Sequence, residues 1–182
     1  MKKMAAIVLL LMVGFAMFTP GAGKAEEQKI YHGKTRDIMF TIPDGWVESA
    51  PMNKGLEVKF KYTGEMFTQI HYGIEDLFPL TGLQEELRPS FDSELFEPED
   101  IKKLIEGTGT LTNAQVELIK TDNLSYFIAR NEEFRTIAPY EMAVIIENGY
   151  YHSFFLFLSQ EESLEKREEE FLSLVSSFSP NK

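Results

Sequence analysis

The chain has 182 residues, with 18 lysines and arginines against 29 aspartates and glutamates, and a formal net charge of −11. This acidity argues against nucleic acid and anionic lipid as partners, because both are bound by basic side chains that neutralise phosphate. The chain contains no cysteine, which excludes disulfides, thiolate metal sites and cysteine nucleophiles.

The first 25 residues have the pattern of a secretory signal peptide. Two lysines precede an apolar run at residues 5–18, a Thr-Pro-Gly break follows, and the small residues Gly23 and Ala25 predict cleavage after Ala25. The run is shorter than the roughly 20 residues that span a bilayer as a helix, so an uncleaved anchor is the less favoured alternative. Removing this segment, which has three lysines and no acidic residue, brings the net charge to −14. We therefore predict an exported protein, periplasmic or extracellular, with residues 26–182 as one domain and no stable membrane insertion after cleavage.

A strand is predicted at residues 37–42, where apolar side chains alternate with others. Pro43-Asp44-Gly45 follows with turn residues that end it. Trp46 comes directly after this turn, where a large aromatic side chain is expected to close one end of the core.

A hairpin is predicted next, from residues 56–62 through Thr63-Gly64 to residues 66–72. Strict alternation in the first strand places lysines on one side, in solvent, and apolar residues on the other. The residues expected to face inward are Leu56, Val58, Phe60 and Tyr62.

Residues 73–112 have prolines, turn residues and helical spacing in place of alternation. Pro98 suits a first helical turn, where its missing N–H has no partner to lose. Ile101, Leu104 and Ile105 follow at helical spacing, and Gly107 favours an end to the helix. A shorter helix at residues 83–87, capped by Thr81, is also predicted. We expect this helical insertion to cover the sheet.

Two further hairpins are predicted. The first joins residues 114–121 to 124–130 across Asp122-Asn123, and the second joins residues 140–147 to 150–158 across Asn148-Gly149. Asn-Gly is a strong signal because both central residues of a type I′ turn need positive φ. In that register Ala143 lies opposite Phe154. Residues 150–158 are apolar on both sides, which is typical of a central strand covered on both faces.

A C-terminal helix is predicted after Ser159, since Ser159 and Glu162 have the spacing of a capping box. Pro180 prevents its continuation, and its glutamate-rich face is expected to be in solvent. Its apolar stripe is Leu164, Phe171, Leu172, Val175 and Phe178.

Two segments resemble the PsbP-like group, named after an extrinsic subunit of photosystem II and including DcrB-like exported bacterial proteins. They are the turn Ile42-Pro-Asp-Gly-Trp46 and the terminal block from Tyr150-Tyr-His-Ser-Phe154 through Phe171 to Ser177-Phe178. The resemblance covers nearly the whole mature chain. It implies an α+β fold, an αβα sandwich around an antiparallel sheet, and a non-catalytic accessory role on larger assemblies. It carries over no catalytic, cofactor-binding or metal-binding residue.

The residues typical of catalysis are scattered. His32, His71 and His152 lack the spacing that places two ligands on one helix face, and His152 on a central strand predicts a hydrogen-bonded core histidine. No G-x-S-x-G elbow occurs. We predict no catalytic residue, with an unrecognised hydrolase as the alternative from another class.

Carboxylates are dense at residues 92–100 and 161–170, but neither segment follows the order of a calcium loop. A position at a helix N-terminus explains Glu99 and Asp100 in the first segment, and a solvated helix face explains the second. No cofactor is predicted, and a small-ligand or divalent-metal carrier remains an alternative function.

Aromatic side chains supply the candidate binding surface, because tyrosine and tryptophan are common in binding surfaces. The alternative is that they complete the core. The candidates, expected at one end of the sheet, are Tyr31, Trp46, Tyr140, Tyr150 and Tyr151. The sequence thus predicts an exported, non-catalytic accessory or binding protein that docks on an envelope or extracellular protein partner.

Overall fold

The computed structural model describes residues 28–51, 53–77, 85–109, 111, 113–131 and 138–180. The predicted signal peptide lies outside these residues, and so do the cap Thr81 and the first two residues, 83 and 84, of the predicted short helix at 83–87. From Glu85 to Ser90 the chain forms a short 3₁₀ helix.

Strands are the commonest regular structure among the described residues, and two α-helices accompany them. The strands are β1 (Lys29–His32), β2 (Ile38–Ile42), β3 (Trp46–Ser49), β4 (Val58–Tyr62), β5 (Gln69–Asp76), β6 (Gln115–Lys120), β7 (Ser125–Arg130), β8 (Glu141–Glu147), β9 (Tyr150–Phe157) and β10 (Ser179–Pro180). The helices are α1 (Pro98–Gly107) and α2 (Leu164–Ser176), and further 3₁₀ turns cover Ser93–Leu95 and Glu161–Ser163.

Seven strands form one antiparallel sheet in the order β3-β4-β5-β9-β8-β7-β6, and β9 is its central strand as predicted. The predicted strand at residues 37–42 is not in this sheet. As β2 it pairs with β1 and with β10 in a separate three-stranded sheet. The C-terminal helix ends at Ser176, before Pro180, and Pro180 lies in β10 opposite Ile38.

Both faces of the large sheet are covered, which confirms the predicted αβα sandwich. On the first face, α2 and the small sheet enclose a core that includes Phe40, Phe154 and Phe171. On the second face, α1 packs Ile101 and Ile105 onto β6, β7 and β8. The small sheet therefore lies in the same layer as α2, since its apolar side chains and those of α2 belong to one core.

The last hairpin has the predicted geometry. Asn148 and Gly149 have φ of 49° and 74°, and Ala143 lies opposite Phe154. His152 is buried on this hairpin, and its Nδ1 lies 2.9 Å from the Tyr72 hydroxyl. The predicted role of a hydrogen-bonded core histidine is confirmed.

Two local predictions are wrong. Ser159 does not cap a helix, since a 3₁₀ turn follows it, α2 begins at Leu164, and the Ser159 hydroxyl lies 3.0 Å from that of Thr68. Lys59 is buried, and the residues directly opposite it are Ser49 of β3 and His71 of β5. Burial and the neighbouring Lys61 lower the pKa of Lys59.

Candidate functional site

Three of the five predicted binding aromatics are buried. Tyr31 and Trp46 belong to the core under α2, whereas Tyr151 belongs to the core on the opposite face of the sheet. Burial and the nearby Glu57 raise the pKa of Tyr31, whose hydroxyl donates to Glu57 at 3.0 Å. These three side chains complete the two cores and do not share a surface.

Tyr150 and Tyr140 remain partly exposed, at opposite ends of the sheet. Tyr150 opens β9, and its ring lies under the Arg36 guanidinium carbon at 3.6 Å from the centroid. Tyr140 precedes β8, and its N–H donates to the Leu156 carbonyl near the end of β9. The structure therefore does not bring the five aromatics together in one groove.

Other apolar side chains are exposed near the β4–β5 connection. Met66 and Phe67 in that connection are 80% and 61% exposed, and Val47 of β3, the strand beside β4, is 43% exposed; we call these three residues the apolar corner. Met66 and Phe67 were predicted to lie in a strand beginning at residue 66, but β5 begins at Gln69 and both residues are in the preceding loop. The loop lies beside β3, because the Thr63 N–H donates to the Gly45 carbonyl at 2.8 Å.

The loop that carries Met66 and Phe67 is held firmly on both sides. Thr68 is fully buried, its carbonyl accepts from the Tyr62 N–H at 3.0 Å, and its hydroxyl donates to Glu65 at 2.6 Å. These bonds place the two apolar side chains between two anchored residues.

Glu65 connects the loop to α2 through Arg167, a buried arginine. The Arg167 guanidinium donates to Glu65 Oε1 at 2.8 and 3.1 Å and to both oxygens of Glu170, and it lies 3.3 Å from the centre of the Tyr62 ring. Burial opposes ionisation of Glu65, but hydrogen bonds from Thr68 and Arg167 hold the pKa of this carboxyl below its usual value. The indole N–H of Trp46 donates to Glu170 at 2.8 Å, so this predicted binding residue anchors α2 instead.

The predicted wet face of the β4–β5 hairpin borders the apolar corner. The His71 Nε2 lies 3.0 Å from Gln69 Oε1, and the His71 ring is 4.6 Å from that of Phe157. Burial, with a contribution from Lys59, lowers the pKa of His71 to about 4, so this histidine is neutral at physiological pH.

A second polar cluster lies under α2 at the ends of β6, β7 and β8. Three carboxylates surround one guanidinium: Arg130 is 2.6 Å from Glu117, 2.9 Å from Glu141 and 2.9 Å from Glu168. Glu168 thus pairs with Arg130, as Glu170 pairs with Arg167. These two glutamates make ion pairs, although the glutamate-rich face of α2 was predicted to be in solvent.

Glu141 is the unusual member of this cluster, because its side chain is 0% exposed. The Arg130 Nε–H is directed at Glu168, and neither Glu141 oxygen has a hydrogen-bond partner. Burial raises the pKa of Glu141 to about 8, although Arg130 opposes the shift. Glu141 was not singled out from the sequence, where the one signal is a carboxylate at the start of an apolar strand.

Among the described residues, no hydrogen bond or ion pair joins a histidine to a carboxylate. The same part of the chain has no cluster of histidines and carboxylates suited to a metal ion. None of the helices formed there is long and apolar enough to cross a bilayer.

Comparison with known proteins supports the fold. No family model and no curated protein matches the sequence. Among solved structures, the solution structure of cyanobacterial PsbP (CyanoP) from Synechocystis sp. PCC 6803 matches with a TM-score of 0.57. The match covers 91% of this chain and 99% of that chain at 15% identity. The protein therefore has a PsbP-like fold, as the turn and the terminal block predicted.

Proposed function

We propose that the protein is an exported, non-catalytic accessory domain that binds another protein through the apolar corner. The observation that carries this proposal is the exposure of Met66 and Phe67 between two hydrogen-bonded residues, the partly buried Glu65 and the buried Thr68. Large apolar side chains that are adjacent and exposed are typical of interaction sites. The resemblance to the PsbP-like group, which implies an accessory role on larger assemblies, supports the same function.

The geometry of the corner reduces one cost of binding. Burying a methionine or phenylalanine side chain contributes roughly 2 kcal/mol, so the pair offers about 4 kcal/mol to a larger interface. The anchored loop loses little conformational freedom on binding, so ordering the loop takes little of that gain.

A protein with an apolar cleft fits the corner better than a lipid surface does. The chain has a net charge of −11, which anionic headgroups repel. Lys61, an exposed neighbour of Val47 on β4, supplies a positive charge at the edge of the corner and suits an acidic group beside the cleft.

The test is affinity capture of the tagged protein from its own cells after mild crosslinking, with quantitative mass spectrometry. We compare wild type with Met66→Ser and Phe67→Ser, and use Leu95→Ser as the matched control, because Leu95 is 59% exposed on a distant 3₁₀ turn. We expect one stoichiometric partner that both corner variants lose and the control keeps. A partner retained equally by all variants would place the interface elsewhere, and no stoichiometric partner would contradict the docking function.

Export is tested separately by intact mass and N-terminal sequencing of the protein recovered outside the cytoplasm. We expect a mature chain that begins at Glu26. Recovery of the full-length chain would show that the first 25 residues are retained, and recovery from the cytoplasm alone would contradict export.

A further inference from the structure

A small apolar cavity lies between α1 and the second face of the large sheet, away from the apolar corner. Its volume is about 140 Å³. It is lined by Glu75, Leu77, Leu104, Thr108, Met142, Tyr151, Ser153 and Phe155.

The cavity has a buried floor and a mouth open to solvent. Met142 and Leu77 are buried in the core on this face, and Leu104 of α1 forms part of the wall opposite the sheet. Glu75 and Thr108 are exposed, which places the mouth between the end of β5 and the end of α1. A ligand can therefore enter without unfolding of either element.

The floor also holds a hydroxyl with unused hydrogen-bonding capacity. Ser153 is 6% exposed, and the hydrogen bond its hydroxyl makes to the Gly73 carbonyl is long, at 3.5 Å. Buried hydroxyls normally make shorter bonds, and an under-bonded one gains from a ligand that donates or accepts. Tyr151, the neighbour of Glu75 in the β5–β9 ladder, also lines the cavity.

We infer that this cavity is a binding site for a small aromatic ligand that carries a hydroxyl group, of the phenol class. A dry protein cavity of about 150 Å³ lined by leucine, isoleucine and phenylalanine binds benzene, so the volume here fits one six-membered ring. The Ser153 hydroxyl then selects a ring with a polar substituent. The carboxylate of Glu75 at the mouth disfavours anionic rings such as benzoate.

This inference is independent of the proposed docking function. None of the three residues of the apolar corner lines the cavity. The affinity capture tests docking and the phenol titration tests the cavity, so either hypothesis can fail while the other holds.

The test is a titration of the purified protein with phenol, benzene and benzoate, followed by calorimetry and by amide chemical shifts in NMR. We expect saturable 1:1 binding of phenol, with the largest shifts at Tyr151, Ser153 and Leu104. Benzene should bind about fivefold more weakly, which is the contribution of one hydrogen bond, and benzoate should not bind measurably.

Two variants and one control assign the binding to the cavity. Leu104→Trp places an indole in the cavity and should abolish phenol binding, whereas Lys103→Trp, on the exposed side of the same helix, should leave it unchanged. Ser153→Ala should remove the preference for phenol over benzene. Circular dichroism checks that each variant is folded. The amide chemical-shift changes in the wild-type protein locate the bound phenol even if a variant does not fold.

Three results would overturn the inference. They are no binding of phenol to the wild type, binding that survives Leu104→Trp in a folded protein, and equal affinity for phenol and benzene in the wild type.

Discussion

Replacing Glu141 with glutamine should stabilise the protein at alkaline pH and change little in acid. Glutamine has the shape of a protonated glutamate, but it cannot ionise. The wild-type carboxyl is fully buried, its oxygens lack hydrogen bonds, and burial raises its pKa from 4.5 to about 8. Ionisation of this group therefore opposes folding, and Glu141→Gln removes that opposition.

The size of the effect follows from the two pKa values. Between pH 4.5 and 8 the folded protein keeps a proton on Glu141 that the unfolded chain has released, so the free energy of unfolding falls as pH rises. Each pH unit inside this window costs up to about 1.4 kcal/mol. From pH 5 to pH 8 the wild type should lose about 3 kcal/mol through this group, and the variant should not. Below pH 4.5 both the folded and the unfolded state hold the proton, so Glu141 no longer lowers the free energy of unfolding.

Urea denaturation monitored by circular dichroism at pH 5, 6, 7 and 8 measures the effect. The difference between variant and wild type should grow steadily with pH. Glu117→Gln is the matched control, because Glu117 pairs with the same arginine but is 54% exposed, and exposed ion pairs contribute at most about 1 kcal/mol. A difference that is constant with pH, or that makes the variant less stable at pH 8, would refute the reasoning. It would show that Arg130 keeps Glu141 ionised.

Three further predictions concern the framework of the fold. Phe171→Ala should lower the free energy of unfolding by about 3–5 kcal/mol, since Phe171 is fully buried under α2, and a loss below about 1 kcal/mol in urea denaturation would contradict its core position. Arg167→Met should cost about 3–5 kcal/mol by leaving Glu65 and Glu170 without their shared cation, and a melting temperature equal to that of the wild type would show that the network is not stabilising. Gly149→Val should destabilise the last hairpin by about 1–2 kcal/mol, because a branched side chain is strained at a φ of 74°, and an unchanged thermal transition would count against that turn.

Local patterns predicted much of the large sheet. Alternation identified the strand that became β4, the turn pair Asp122-Asn123 separated the strands that became β6 and β7, and Asn148-Gly149 predicted both the turn and the register of the last hairpin. Pro98 and Gly107 predicted the bounds of α1. These predictions depend on backbone preferences of a few neighbouring residues, so the sequence contains all the information they need.

The candidate site was harder to predict, since it depends on which side chains are left uncovered. Trp46 and Tyr31 appeared to be binding residues because of their chemistry, yet they are buried by α2 and the small sheet. Met66 and Phe67 were assigned to a strand, although two adjacent large apolar residues interrupt the alternation of that strand. That interruption was the available signal for a loop.

By itself, the sequence determined the αβα sandwich, the central position of β9 and the acidic, cysteine-free character of the protein. The sandwich is what the resemblance to the PsbP-like group implies, the position of β9 follows from its two apolar sides, and the acidic, cysteine-free character follows from composition. The tertiary structure alone decided that β2 joins a separate sheet with β10, that Arg130 gathers three carboxylates, and that a cavity remains beside α1. These features bring together residues far apart in the chain, and their pairing depends on how whole elements pack, which no local pattern encodes.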